Sequence, residues 1–481
     1  MRLPTNPRRT NSNPTNSGLL NRSAVKRKNY SSKSRSPFLS AVALLSAAVL
    51  GLYLPPLHAN HDPDLTIIGA ERAGNDAGTI PPWQGGIRTP PVGYQIGDRH
   101  PDPFKDDQIL FTIDQSNAAE FKELLSAGHK ALLEKYPDTY KLPIYPSRRS
   151  TSHPQSVLDA TIKYSGKARV VDNGAGVENI VRGVPFPHPA NGEQAIWNAR
   201  LSYKAGGYRG YYGNALTASD GSYQQGVWLQ EVIYPYSDDR TTLENLNNIK
   251  LRGLFHTLRP ARDAGSIFLY YRYINSKTQE RRNWKYNPGK RRVKRSTMTA
   301  ADQLLGSSDG IHMYDQGGMF RGPITNFNWT LIGKQELYVP YNAYQLHSGE
   351  QSADTIVTPH HINQDLTRYE LHRVWVLEAF RKEGVAHRYK KRRYFLDEDT
   401  WKILLAEHYD DAGNISRFTE SHNINYYEVP VFFTTLDTFY KLDTDRYFIT
   451  HLDNAYPPFD FSFEKNDSYF MPGRLKMKAK R

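Results

Sequence analysis

Residues 391–415 read KRRYFLDEDTWKILLAEHYDDAGNI, and their pattern decides the fold class. Alternating residues lead into a turn at Asp397, Glu398 and Asp399. A second strand begins at Trp401 and runs into another turn through Asp410, Asp411 and Gly413. Asp and Gly supply the turn conformations, while Tyr, Phe, Trp and Ile suit a half-buried pleated surface. The five carboxylates have the spacing of two turns rather than of a calcium loop, and no metal site is expected from them.

The same grammar extends outward on both sides. Upstream, 367–380 reads as a strand that closes at Lys382-Glu383-Gly384, and 329–339 reads as another. In SIFLYYRYI (266–274), Ile267, Leu269, Tyr271 and Tyr273 fall on one face, with Phe268, Tyr270 and Arg272 on the other. RRNWKYN (281–287) turns through Pro288-Gly289 into KRRVKRS. From about Ala195 to 234 the chain is dense in Trp, Tyr and Val, split by Ser219-Asp220-Gly221, and is expected to be strand. Evenly spaced hairpins of this kind predict one large, strongly curved antiparallel sheet. The least regular stretch, 296–326, reads as an insertion or loop. One helix is expected over 117–136, capped by Ser116 or Asn117 and closed before Pro137. Residues 60–115, rich in Pro and Gly at their start, read as an extended segment wrapped over the surface.

The first 36 residues carry nine basic side chains and no acidic one, followed by an uncharged, largely apolar run from Phe38 to Leu54. That is the form of a secretory signal sequence, with cleavage expected after Ala59 and a mature chain of about 420 residues in the periplasm. The alternative is an uncleaved anchor in the inner membrane, for which the apolar run is at the short end. The whole chain carries a net charge of +13, and without the leader only +4 remains from Asn60 onward. This removes most of the case for nucleic acid as a partner. The basic stretches 281–295 and 388–393 lie inside strand-like alternation, where charges form a solvated face or meet anionic headgroups. With no cysteine there is neither a lipobox acylation site nor a disulfide, so the core must hold the chain together unaided.

With the strands laid out, the wording itself carries a resemblance. The opening stretch and WKYNPGKRRVKRS (284–296) resemble strands of the LolA/LolB-like proteins, periplasmic half-barrels that hold lipid chains on an apolar concave face. GAERAGNDAGTIPPWQGG (69–86), VPFPHPANGEQAIWN (184–198), LIGKQELYVPYNAYQL (331–346) and HINQDLTRYELHRVW (361–375) resemble a narrower group. That group is an uncharacterised proteobacterial family of exported, outer-membrane lipoprotein-sorting-like proteins. The resemblance implies a curved antiparallel half-barrel, mainly β, with a packed helix near its mouth and an extended N-terminal segment. It also implies envelope traffic of hydrophobic compounds, with an outer-membrane protein or an RND-type transporter as a possible partner.

Two sets of residues are candidates for function. Trp197, Tyr203, Trp228, Tyr271, Trp284, Trp329, Trp375 and Tyr394 are the aromatics expected to line a ligand cavity; ordinary core packing is the alternative. His361, Asp365, Arg368 and His372 form a polar cluster in which Asp365 would orient His372 as a base. With no H-E-x-x-H pattern, no G-x-S-x-G elbow and no thiol, structural hydrogen bonding is favoured over catalysis, and no cofactor is expected. The leading functional reading is periplasmic binding or carriage of a lipid, a lipoprotein acyl chain or another hydrophobic molecule. The alternatives are an exported enzyme acting on a hydrophobic substrate through 361–372, and a non-catalytic adaptor.

Overall fold

The computed structural model describes residues 62–296 and 300–479; the leader read at 1–59 lies outside the described residues. Four short strands come first. β1 (Phe111–Ile113) and β2 (Leu142–Ile144) pair at one end of the large sheet, and β3 (Arg169–Val171) and β4 (Gly176–Glu178) form a separate hairpin. Two long meanders follow. The first comprises β5 (Gly207–Thr217), β6 (Tyr223–Ile233), β7 (Ile249–Arg259), β8 (Ile267–Tyr273), β9 (Arg282–Asn287) and β10 (Arg292–Arg295). The second comprises β11 (Phe327–Pro340), β12 (Tyr369–Arg381), β13 (Lys391–Asp397), β14 (Ile403–Tyr409), β15 (Ile415–Tyr426), β16 (Val431–Lys441) and β17 (Arg446–Thr450).

The meanders meet where β17 pairs antiparallel with β5, Phe448 opposite Leu216, giving one mainly β, curved sheet of 15 strands that does not close. Each hairpin carries its own turn signal, and so needs only local pairing. The two halves differ in burial. β13 to β16 are buried on nearly every residue, so both faces of the sheet are covered there. Along β5 to β8 buried and half-buried positions mix, and one face opens on a cavity.

The helix expected over 117–136 is broken in two. A 3-10 turn spans Ala118–Phe121, and α1 (Ala127–Lys135) starts afresh at Ser126, whose side chain accepts from the His129 backbone N–H. Asn117 instead accepts from Asp114 N and caps nothing. Gly128 lets α1 lie flat on the sheet: a Cβ there would stand 1.9 Å from the Phe418 ring. Its N–H donates to Glu407, while His129 bonds Glu420 at 3.0 Å, so the helix supplies partners to carboxylates buried in the sheet.

The strand expected from Ala195 is corrected at its start. Residues Gly192–Arg200 form a helix, here α3, following α2 (Gln155–Tyr164). Asn191 caps α3 by accepting from Gln194 N, and Gln194 Oε1 accepts in return from Ala190 N. The reciprocal cap outweighs the strand-like aromatic content that follows. The segment 62–110 has no strand or helix; it is tied down by side-chain contacts, among them Trp401 Nε1 donating to Ile68 O and Lys334 bridging Glu71 and Glu398.

Candidate ligand-binding site

The open face of β5 to β8 forms the wall of a cavity of about 780 Å³. Its size falls in the range of roughly 300–1,000 Å³ typical of small-molecule sites. Strand alternation puts Tyr208, Tyr212, Trp228, Phe255, Phe268 and Tyr270 on that wall. Tyr212 stands opposite Trp228 and Phe255 opposite Phe268 in the ladder, so the rings form cross-strand pairs. Tyr270 stacks on Phe255 with centroids 5.3 Å apart, and lies over the backbone of Gly253, where a Cβ would come within 2.3 Å of the ring. Glycine at that position makes room for the aromatic.

The other walls come from α3 with the residues after it, from the 305–324 segment, from Thr400, Lys402 and Ile403 at the start of β14, and from β16 and β17 through Phe433, Thr434 and Phe448. Ile196 and Trp197 anchor α3 in a core shared with Phe320, Phe327, Trp329 and Tyr394. At its C-terminal end Arg200 donates to the carbonyls of Gly322 and Arg321, fixing the 305–324 segment across the cavity. Helix α1 contributes nothing to the lining, so the element bracing the cavity is α3, not the helix expected at the mouth.

Charge is distributed unevenly around this space. Seven cationic side chains line it (Arg200, Lys204, Lys250, Arg272, Arg281, Arg321, Lys402) against one carboxylate, the exposed Glu280. Burial drives the Lys250 ammonium far down from the ordinary lysine range, and Arg200, Lys204 and Arg272 add repulsion. Burial also lowers Lys402 to about 7, with Lys204 adding to the shift and Asp437 opposing it. Burial would raise the Tyr314 phenol, yet Arg321, Arg272 and Arg281 bring it down to about 8. These groups lie deep in the molecule, but Lys204, Lys250 and Lys402 keep some accessible surface, because what they face is the cavity.

Of the eight aromatics expected to line a cavity, the structure brings three together there: Trp197, Tyr203 and Trp228. The other five do not reach it. Tyr271 and Trp284 pack against each other, centroids 4.8 Å apart, with the C-terminal segment around Phe470 and Leu475 on the opposite face. Trp329 and Tyr394 belong to the core under α3, and Trp375 stacks on Trp401. The expectation went wrong because an alternating strand presents two apolar faces when segments cover both sides.

The polar cluster is likewise dispersed. His361 bonds Thr139 and the Ile362 carbonyl, and Asp365 is exposed and paired with Lys141 at 2.7 Å. His372 is oriented by Glu370 at 3.1 Å and stacks on Tyr341, not by Asp365. Arg368 holds Glu370 and Asp107. The arrangement satisfies buried charges rather than assembling a base beside a substrate space.

The first of the two turns in the opening stretch also differs from an ordinary surface turn: Asp397, Glu398 and Asp399 are buried. Arg149 grips Asp399 with two bonds of 2.9 and 2.6 Å, and Arg373 and Lys334 hold Glu398. His372, Asp397 and Asp399 offer ligand atoms within 4.8 Å of one another. Several of their atoms already have partners: Tyr341 and Thr400 donate to Asp397 Oδ2, Arg149 to Asp399, and His372 bonds Glu370, while Asp397 Oδ1 has none among the described residues. The set works as a charge network joining the turn to the N-terminal segment. Asp410, half-buried, and Asp411, exposed, remain turn residues.

The family described as "Protein of unknown function (DUF1329)" matches residues 112–476. An uncharacterized protein of Pseudomonas aeruginosa is 35% identical over 447 residues, spanning 92% of this chain and 97% of its own. Among solved structures, a DUF1329 family protein from Desulfovibrio piger is similar at 12% identity and a TM-score of 0.40, covering 58% of this chain and 95% of that one. A putative outer membrane lipoprotein-sorting protein domain from Vibrio parahaemolyticus is similar at 14% identity and a TM-score of 0.40, covering 59% and 97%. The family resemblance read from the motifs is thereby borne out.

Proposed function

The chain belongs to the DUF1329 family, and from that premise we propose that it binds and carries a lipid or lipid-like molecule in envelope traffic. The observation that carries this reading is the cavity of about 780 Å³ walled by Tyr208, Tyr212, Trp228, Phe255, Phe268 and Tyr270. An open curved sheet must cover its concave face with its own residues or with a ligand. Here most of the second meander is covered by protein, while the first, with the facing ends of β16 and β17, leaves aromatic surface on the cavity. Burying an acyl chain there would stabilise the complex by about 0.8 kcal/mol per CH₂, enough for a long chain to stay bound while in transit.

The basic-then-apolar leader supports carriage in the periplasm, and among the described residues no helix is long and apolar enough to cross a membrane. Delivery to an outer-membrane protein or an RND-type transporter is the form of traffic this reading favours. The enzymatic alternative rested on residues 361–372, whose side chains point to separate partners.

Filling the cavity tests the reading. Thr257 lines it from β7, so Thr257→Trp should abolish uptake of a long-chain lipid while the far-ultraviolet circular dichroism stays that of the parent. Unchanged uptake in a folded Thr257→Trp protein would show that lipid binds elsewhere or not at all.

A further inference from the structure

The cation cluster in the cavity has no assigned role, and ordinary folding economy does not account for it. Lysine is rarely buried without a partner, because the ammonium loses hydration and gains nothing in exchange. Lys204 and Lys250 nevertheless face the cavity with neither a hydrogen bond nor an ion pair to any described residue. Their neighbours make matters worse: Arg200 and Arg272 lie close enough to repel Lys250, and Lys204 repels Lys402. One buried carboxylate, Asp437, attracts Lys204 and Lys402, but it forms an ion pair with neither, lies beside His451 and does not line the space.

Surface lysines usually escape such crowding by reaching solvent. Here the aromatic wall of β5 to β8, helix α3 and the 305–324 segment surround them. An electrostatically frustrated set of this kind is stabilised when an anion enters. The lining also mixes two chemistries: the aromatic wall of β5 to β8, and cations from α3 and the residues after it, the start of β7, β8, the 305–324 segment and Lys402, with Arg272 lying over the Tyr270 ring. A ligand matching both parts has an apolar body and an anionic head.

We propose that the cavity takes an amphiphile with a phosphate-class headgroup, its chains on the Tyr212–Trp228–Phe255–Tyr270 wall and its phosphate held by Lys204, Lys250 and Arg200. The proposal rests on the carrier reading above and names its ligand class. Lysine and arginine together suit phosphate: lysine acts as a mobile point charge and arginine as a directional fork. A neutral lipid would leave Lys204 and Lys250 with neither a hydrogen bond nor an ion pair, and a free anion would leave the aromatic wall wet.

The test uses the full chain and vesicles of phosphatidylcholine containing either phosphatidic acid or diacylglycerol with the same acyl chains, measuring lipid retained per protein after separation. Phosphatidic acid should be preferred by about tenfold or more, and added salt should weaken the preference. The Lys204→Gln/Lys250→Gln double variant should lose most of that preference, and its melting temperature should stay level or rise, since two amines without a hydrogen bond or ion pair have been taken out of the interior. Equal loading of the two lipids, or a preference that survives the double substitution, overturns the proposal. Inorganic phosphate binding as tightly as phosphatidic acid would also overturn it, by showing a free-anion site. Loading of neither lipid would defeat the carrier reading itself, an outcome distinct from equal loading.

Discussion

The guanidinium of Arg392 on β13 lies 2.8 Å from the carboxylate of Asp315, and both side chains are sealed from solvent. His387 bonds the same carboxylate oxygen at 3.0 Å. Asp315 belongs to the segment that crosses the cavity, so this pair fastens that segment to the sheet behind it. Removing one partner of a buried pair leaves the other charge uncompensated, at a cost of about 3–5 kcal/mol. Arg392→Met should therefore lower the urea unfolding free energy by that amount, and Arg392→Met/Asp315→Asn should recover part of it. A loss under about 1 kcal/mol would mean the pair contributes no more than a surface bridge.

Gly128 and Phe418 make a second test. Alanine is favoured over glycine inside a helix by about 1 kcal/mol, so Gly128→Ala would stabilise a solvent-facing helix. Here the added methyl would meet the Phe418 ring at 1.9 Å, and overpacking costs about 1–3 kcal/mol. The clash should prevail, and thermal denaturation should show a lower melting temperature. A higher one would show that α1 does not press on β15 as described.

These contacts also show which parts of the structure were legible in sequence. The hairpins were, because Asp397–Asp399, Pro288-Gly289 and Ser219–Gly221 are local turn signals that need no knowledge of the rest. The seating of the second helix was not: Gly128 lies against the ring of Phe418, which comes from a strand far along the chain. The cavity wall was legible only by halves. Trp228 and Trp284 both alternate correctly, but β6 faces the cavity and β9 faces the C-terminal segment, and only tertiary packing decides between them. The buried Asp397–Glu398–Asp399 turn hid for the same reason, since Arg149, Arg373 and Lys334 arrive from distant segments. Lysines at 204, 250 and 402 carry no motif, and only their convergence distinguishes them.

Trp228 and Trp284 accordingly should separate binding from stability. Trp228→Ala removes cavity wall and should reduce lipid uptake several-fold with a small change in melting temperature. Trp284→Ala should loosen the Phe470–Leu475 segment, costing about 2–4 kcal/mol or less while lipid uptake persists. Reversed effects in paired uptake and melting measurements would place the ligand on the other face of the sheet.

Binding of an anion should depend on pH, with a sign fixed by Lys402 and Asp437. An alkyl sulfate keeps its charge throughout, so only the protein titrates. Below about 7 Lys402 is protonated, and its positive charge attracts the headgroup. As pH rises through 7 the free protein loses that proton, and the affinity falls until the bound-state pKa is reached. Asp437, raised to about 6 by burial against the pull of Lys402 and Lys204, becomes anionic over a nearby range and acts in the same direction. Burial, with repulsion from Lys402, Lys204 and His312, lowers His451 to about 3, so it stays neutral and adds nothing there. Calorimetric titration between about pH 6 and pH 8, roughly a unit either side of the transition, should show weakening affinity; a flat or rising profile would remove these groups from the site.

A cavity that holds a hydrophobic molecule should still hold it when the protein is taken from its native envelope. The chain should be purified without detergent, extracted with organic solvent, and the extract quantified by mass spectrometry against protein concentration. A long-chain amphiphile should be found near one per protein, present in the parent and lost from Thr257→Trp. An extract empty of such molecules, from protein that also fails to take up added phosphatidic acid, would contradict the carrier reading.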